Sequence, residues 1–259
     1  MRNKKIALLF ATTCILGACN TQNRDSTSKS ESSIAQSQWL NRDFDLSQIR
    51  NVVNTYNIID STDQKIGSMV FSFRKVGDLL IAKDTSQFDN GSIYETAILE
   101  ADLKTMAFKN IDMEIKVPGR EISIDLKSES NSINGRVLVM KDTIAITNMA
   151  IDSVYSYDIF REEIYMLLHA IDLKKGDSIP FKMFVSNSLK SIDASLNVEQ
   201  SEIIEVPAGK FETTVVYLNT GGLLDNRIWI SNGENKRIVK FYVPTGNLNI
   251  DLISNEKMP

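Results

Sequence analysis

Residues 111–127, IDMEIKVPGREISIDLK, alternate apolar and polar side chains on both sides of a single break. Ile111, Met113, Ile115 and Val117 fall in one phase, with Asp112, Glu114 and Lys116 in the other; after Pro118-Gly119-Arg120, Ile122, Ile124 and Leu126 alternate with Ser123, Asp125 and Lys127. A period of two describes a strand with one buried and one wet face, and proline followed by glycine is the chemistry of a tight turn, so the stretch predicts an antiparallel hairpin.

The same rhythm spreads outward. Ile192, Ala194, Leu196 and Val198 repeat it, as do Leu248, Ile250 and Leu252. Shorter candidate strands lie at 69–74, 79–83, 93–100, 136–140, 143–147, 181–186, 227–231 and 237–243, separated by Gly, Asn, Asp and Pro. Many short strands punctuated in this way form an antiparallel meander. Residues 45–58 have mixed spacing that fits either a helix or an irregular strand. Residues 84–89 read as a polar loop without the twelve-position calcium pattern.

One segment breaks the period. Tyr157, Phe160, Ile164, Leu167 and Ile171 recur at steps of three and four, which predicts a helix of about four turns over 156–172. Lys174-Lys175-Gly176 supplies positive charge and a glycine where such a helix stops. A lone amphipathic helix amid strands packs its apolar face onto the inner face of a sheet.

The amino terminus sets the compartment. Arg2, Lys4 and Lys5 precede an apolar run from residue 6 to 16, too short at ~1.5 Å per residue to cross a ~30 Å hydrocarbon layer. It is a signal peptide pattern. Leu16-Gly17-Ala18-Cys19 resembles the lipobox of bacterial lipoproteins; that resemblance implies cleavage before Cys19 and diacylglyceryl and palmitate modification of its thiol. Position 20 is Asn, so the Asp of inner-membrane retention is missing and outer-membrane sorting is the expectation. Asp25 is the sole acid between Cys19 and Glu31, which does not resemble a surface-export run and favours the periplasmic face. The expected organisation is a signal peptide at 1–18, a lipidated cysteine and polar disordered tether at 19–38, and a single β-rich domain at 39–259.

Composition excludes several classes. With 29 basic and 33 acidic residues the formal charge is −4, and removal of the leader takes away three cations more. A nucleic-acid partner is therefore not expected, because little is available to neutralise phosphates. Cys14 leaves with the leader, so Cys19 has no disulfide partner.

Residues 202–213, EIIEVPAGKFET, read as strand, tight turn, strand, with Pro207 preset for the turn and Gly209 tolerant of positive φ. This hairpin, followed by Arg227-Ile228-Trp229-Ile230-Ser231 and Arg237-Ile238-Val239-Lys240, resembles an envelope-protein family catalogued as domain of unknown function thirty-one-zero-eight. Leu173-Lys174-Lys175-Gly176 matches the turn its members carry upstream. The likeness covers about residues 65–253 and implies a long, strongly curved antiparallel sheet, with no established activity and no catalytic residue to carry over. The expected fold is thus mainly β, a half-barrel or β-roll with one helix on its concave face.

Chemistry-bearing constellations are sparse. His169 is the one histidine, so His-based metal centres lack ligands, and its place beside Leu167 and Leu168 reads as packing. Gly221-Gly222 is an isolated pair with no phosphate-loop pattern. Neither a cofactor nor a metal is expected, nor any catalytic residue. The site residue is Cys19, for lipidation. Met69, Phe71, Phe73, Met113, Phe160, Ile164, Leu167 and Met183 form a possible hydrophobic lining. The expected function is a non-enzymatic lipoprotein, held to the membrane by its lipid, that binds or scaffolds an envelope protein; the alternative is a carrier or sensor of a lipid or other hydrophobic ligand in a half-barrel cavity, and a third reading, a hydrolase using carboxylates, requires two facing acidic side chains of raised pKa in a cleft. Oligomeric state is not legible.

Overall fold

The computed structural model describes residues 44–88, 91–129, 132–154, 157–222 and 224–258. The expected signal peptide at 1–18, Cys19 and the expected tether lie outside these residues. The chain forms one sheet of fifteen strands. Its first wing is β1 (Val52–Ile59), β2 (Lys65–Val76), β3 (Leu79–Phe88), β4 (Ile93–Asp102), β5 (Phe108–Val117), β6 (Arg120–Glu129), β7 (Ser132–Lys141) and β8 (Ile144–Val154). The second begins with β9 (Ile159–Phe160) and helix α1 (Arg161–Leu167), then β10 (Ser178–Val185), β11 (Lys190–Val206), β12 (Gly209–Asn219), β13 (Asn226–Ser231), β14 (Ile238–Val243) and β15 (Leu248–Lys257). The wings join where β1 pairs with β15, so β8 and β9 stand at opposite edges. All pairings are antiparallel except β9 with β10.

Chain connectivity forces the sheet to roll. A flat sheet of fifteen strands would hold its edges ~67 Å apart at ~4.8 Å per strand. Only residues 155–158 separate β8 from β9, a reach of roughly 18 Å at ~3.6 Å per residue. The two edges must therefore curl toward each other. Bulges in β1, β4, β7, β11 and β13 pairings assist, since each bends and twists its strand. Side chains from the two wings then meet across the roll. Phe160 stacks on Phe108 of β5 with ring centroids 3.5 Å apart, and the Tyr157 and Ser128 hydroxyls lie 3.1 Å apart.

The hairpin at 111–127 forms as its alternation predicts: Val117 pairs with Arg120 across Pro118-Gly119, with Gly119 at φ 73°. Ile111, Met113, Ile115, Ile122, Ile124 and Leu126 are all buried on the concave side, while their alternates face solvent. The hairpin at 202–213 also forms, with Pro207-Ala208 as its two-residue loop and Gly209 at φ 131°. Residues 45–58 resolve as a turn that leads into β1.

Two expectations are corrected. The helix is seven residues long, not four turns. Its start is fixed by Glu163, whose carboxyl oxygen accepts the Phe160 N–H at 2.7 Å. Beyond Leu167 the chain tightens: Ala170 N–H donates to the Leu167 carbonyl three residues back, and Ile171 then bridges to Phe44. The apolar spacing outlasts the helix because tighter turns keep Leu167 and Ile171 on the same side. Gly176 therefore stops no helix; it is part of a turn whose N–H donates to the Val198 carbonyl. The second correction concerns 84–89. Residues 84–88 belong to β3, and only residue 89 of that stretch lies outside the described residues.

Candidate functional site

On the concave face, strand register lays side chains in rows. Phe73, Ala82 and Leu99 form one row across β2, β3 and β4; Phe71, Asp84 and Ala97 form the next; Met69, Ser86 and Glu95 the third. Asp84 and Glu95 thus point inward, into what is elsewhere an apolar lining. The alanines beside them leave room, and α1 fills part of it from above with Arg161, Glu162 and Tyr165. These residues, with Phe71, Ala82, Ala97 and Leu99, enclose a cavity of about 30 Å³. A second, of about 10 Å³, lies between Met69, Phe71, Asp84, Tyr165, Asn226, Phe241, Val243 and Ile250. Asp84, Phe71 and Tyr165 border both.

The electrostatics follow from enclosure. Asp84, Glu95 and Glu162 are half-buried and line the cavity beneath α1, set back from the outer surface of the protein. Loss of bulk water disfavours the ionised carboxylate. Burial pushes Asp84 up to about 7, against an opposing hydrogen bond from Ser86 and the Arg161 charge. Burial, with repulsion from Asp84 added, pushes Glu95 to about 8, while Arg161 pulls it down. Burial also raises Glu162, against Arg161 and a 3.1 Å hydrogen bond from the Ser186 hydroxyl. Arg161 is held charged by Tyr165, Glu162 and Glu95 despite its burial, and it hydrogen-bonds to Tyr165. The Tyr165 hydroxyl also accepts from Asn226 Nδ2 at 3.4 Å. The result is a proton-rich polar knot of three acids around one guanidinium. It can store protons and order one or two waters.

The expected hydrophobic lining is all buried, but it does not converge on one chamber. Met69 and Phe71 border the cavities. Phe73, Met113, Phe160, Ile164, Leu167 and Met183 are packed into the continuous core. His169 is packed as well: its Nδ1 lies 2.8 Å from the Tyr165 carbonyl, its ring meets Phe73 at 4.6 Å, and burial holds it near pH 4, so it is neutral. Among the described residues, no group of three carboxylates, imidazoles or thiols is placed to hold a metal. Cys19 lies outside the described residues.

Sequence reasoning missed Asp84, Glu95, Arg161 and Tyr165. The available signal was an acid in the apolar phase of a strand: Glu95 falls in step with Ile93, Ala97 and Leu99, and Asp84 with Leu80, Ala82 and Phe88.

The Trp229 motif has a different place. Val215 and Trp229 pair across β12 and β13 and are buried on the convex face, outside the main core. The indole N–H donates to Glu202, while Arg227 and Lys240 sit 5.0 and 5.7 Å from the ring centre. Lys240 also pairs with Asp251 at 3.3 Å. This cluster covers the back of the sheet.

A family model described as a protein of unknown function, DUF3108, matches residues 64–253. No curated protein matches the chain by sequence. Among solved structures, a β-barrel-like protein of the domain of unknown function DUF1849 from Brucella abortus has a TM-score of 0.52 at 12% identity, covering 82% of this chain and 100% of that one. A Bacteroides fragilis protein with a YmcC-like fold has a TM-score of 0.35 at 11% identity, covering 83% and 100%. The first likeness establishes a shared fold.

Proposed function

This chain belongs to the DUF3108 family, whose description carries no activity, and on that premise we propose a non-enzymatic envelope protein, anchored through Cys19 to the periplasmic face of the outer membrane, whose roll binds or scaffolds a partner. The observation that carries this reading is a filled interior. Phe160, Ile164 and Leu167 of the α1 region are at most 3% exposed against the sheet. The larger cavity, at about 30 Å³, has room for about two waters and none for an acyl chain. The acids face one another around Arg161 under the helix, not across an open cleft where a substrate would sit. Binding is therefore assigned to the outside of the roll.

The carrier reading draws on a different observation. Both cavities lie beneath α1 and border Phe71, so a lifted helix would merge them into an amphiphilic trough. Native mass spectrometry of the full chain extracted from membranes separates the two. The expected mass is that of the acylated chain alone; an additional retained lipid overturns the scaffold reading in favour of the carrier. Radioactive palmitate tests the anchor: Cys19→Ala is expected to abolish the label, and equal incorporation in variant and parent contradicts lipidation.

A further inference from the structure

The α1 region has two flanks. Phe160, Ile164 and Leu167 pack into the core, whereas Arg161 and Tyr165, one turn apart, and Glu162 beside them line the larger cavity together with Asp84 and Glu95. Backbone ties to other elements lie at the two ends of this segment. Before the helix, Ile159 and Phe160 pair with β10; after it, the Ala170 carbonyl accepts the Asp45 N–H and Ile171 bridges to Phe44. Between these ties the helix is held to the sheet by its side chains. Its polar flank is unbalanced in charge: three carboxyls surround one guanidinium, so full ionisation leaves two negative charges in excess beneath the helix. The neighbouring elements offer neutral groups there, Ser86 of β3, the Ser186 hydroxyl on Glu162, Asn226 of β13 on Tyr165, and Tyr56 of β1, whose hydroxyl donates to the Ile238 carbonyl. Arg237 acts on Tyr56 and on neutral His169, and Glu163 adds a further buried acid, repelled by Glu162.

We propose that α1 is a pH-operated lid, closed while Asp84 and Glu95 carry protons and released from β3 and β4 as they ionise, which joins the two cavities into one open trough. The cavities are divided by shared walls, Phe71, Asp84 and Tyr165, and Tyr165 belongs to the helix. Packing of Ile164 and Leu167 holds the lid down, and repulsion among the acids works against it. The direction follows from linkage. Under the closed lid Asp84 and Glu95 keep their protons up to about 7 and 8; in a lifted state they meet bulk water and release them near the ordinary ~4. Opening therefore expels protons, and each proton expelled raises the open fraction about tenfold per pH unit. The rise levels off once the closed state has lost its protons as well. The lid does not rest on either reading of function.

The test uses the full chain in its membrane, with single cysteines placed by Ala97→Cys or Ala82→Cys beneath the lid, Ile124→Cys in the β6 floor and Thr62→Cys in the exposed β1–β2 turn, and the parent chain as the blank. Labelling by iodoacetamide is followed from pH 6 to 9 and divided by the rate at position 62, which removes the pH dependence of the thiol itself. The relative rate at positions 97 and 82 is expected to rise by about tenfold or more, while position 124 stays unreactive. Asp84→Asn combined with Glu95→Gln keeps the shape of the protonated pair and should hold both reporters at their pH 6 rate throughout; Glu95→Gln alone should make the rise less steep. A flat rate at both reporters overturns the proposal, as does an equal rise in the double variant. A parallel rise at position 124 also overturns it, because the whole fold and not the helix would then be opening.

Discussion

In β5 and β6 the inward positions from Ile111 to Val117 and from Ile122 to Leu126 are all apolar, whereas in β3 and β4, adjoining them on the same concave face, the inward positions include Asp84, Ser86 and Glu95. Both regions are curved antiparallel strands of similar length under the same roll. They differ in what faces them. Phe160 lies on the β5 side, stacked on Phe108; Arg161, Glu162 and Tyr165 lie over β3 and β4. Adjacent residues at the start of the helix, Phe160 at the end of β9 and Arg161 at the head of α1, thus give one region an apolar cover and the other a cationic one. An inward acid is tolerated only under the second.

Exchanging the rule should have the largest effect. Ile124→Asp buries a carboxylate with no cation above it and is expected to cost more than ~4 kcal/mol, enough to unfold a domain of ordinary stability. A denaturant midpoint close to that of the parent would mean that water already reaches β6. Removing the shared cover comes next. Ile164→Ala leaves a void over a fully buried position and should cost ~2–5 kcal/mol; a cost near ~1 kcal/mol would indicate a loosely seated lid.

A smaller effect separates the regions by pH. Asp84, Glu95 and Glu163 hold protons up to about 7, 8 and 8 in the fold, whereas unfolded carboxylates release them near pH ~4. Between those limits the folded state binds more protons than the unfolded one, so stability falls as pH rises. His169 acts oppositely, because its folded pKa is lowered to about 4, but its contribution ends above pH ~6.5. Melting temperature should therefore decline between about pH 6.5 and 8.5, and Glu95→Gln should flatten that decline, with a gain on the order of 1 kcal/mol at the alkaline end. A slope unchanged by Glu95→Gln would place its carboxylate in water. The smallest effect concerns the wet side: Asp125→Asn relieves the like-charge pair with Asp112, for a gain of ~0.2–0.5 kcal/mol.

The same contrast explains what was legible. The clean alternation of β5 and β6 let the sequence define strand, register and buried face, and the proline-glycine turns placed the hairpins. β3 was cut short because Asp84 and Ser86 are polar in the phase that the core should own, so 84–87 read polar on both faces and resembled a loop. The helix was overextended because a 3.6-residue period and a following tight turn present the same apolar spacing at Leu167 and Ile171. The polar knot brings together residues from positions 84 to 226, and no local pattern encodes a contact between Asp84 and Arg161 that exists only after the sheet has rolled. The roll itself was implied by resemblance. Its physical cause, four residues linking opposite edges of one sheet, became visible only when β8 and β9 were seen at those edges.

A carboxyl-carbon NMR titration of the folded protein, with Asp84 and Glu95 assigned by Asp84→Asn and Glu95→Gln, tests the closed polar interior most directly. The two signals should move with midpoints near 7 and 8, and both should shift downward in any variant that lifts α1. Midpoints in the ordinary carboxylate range near ~4 would contradict the account, because they would mean that the concave face is open to solvent and that the helix does not seal it.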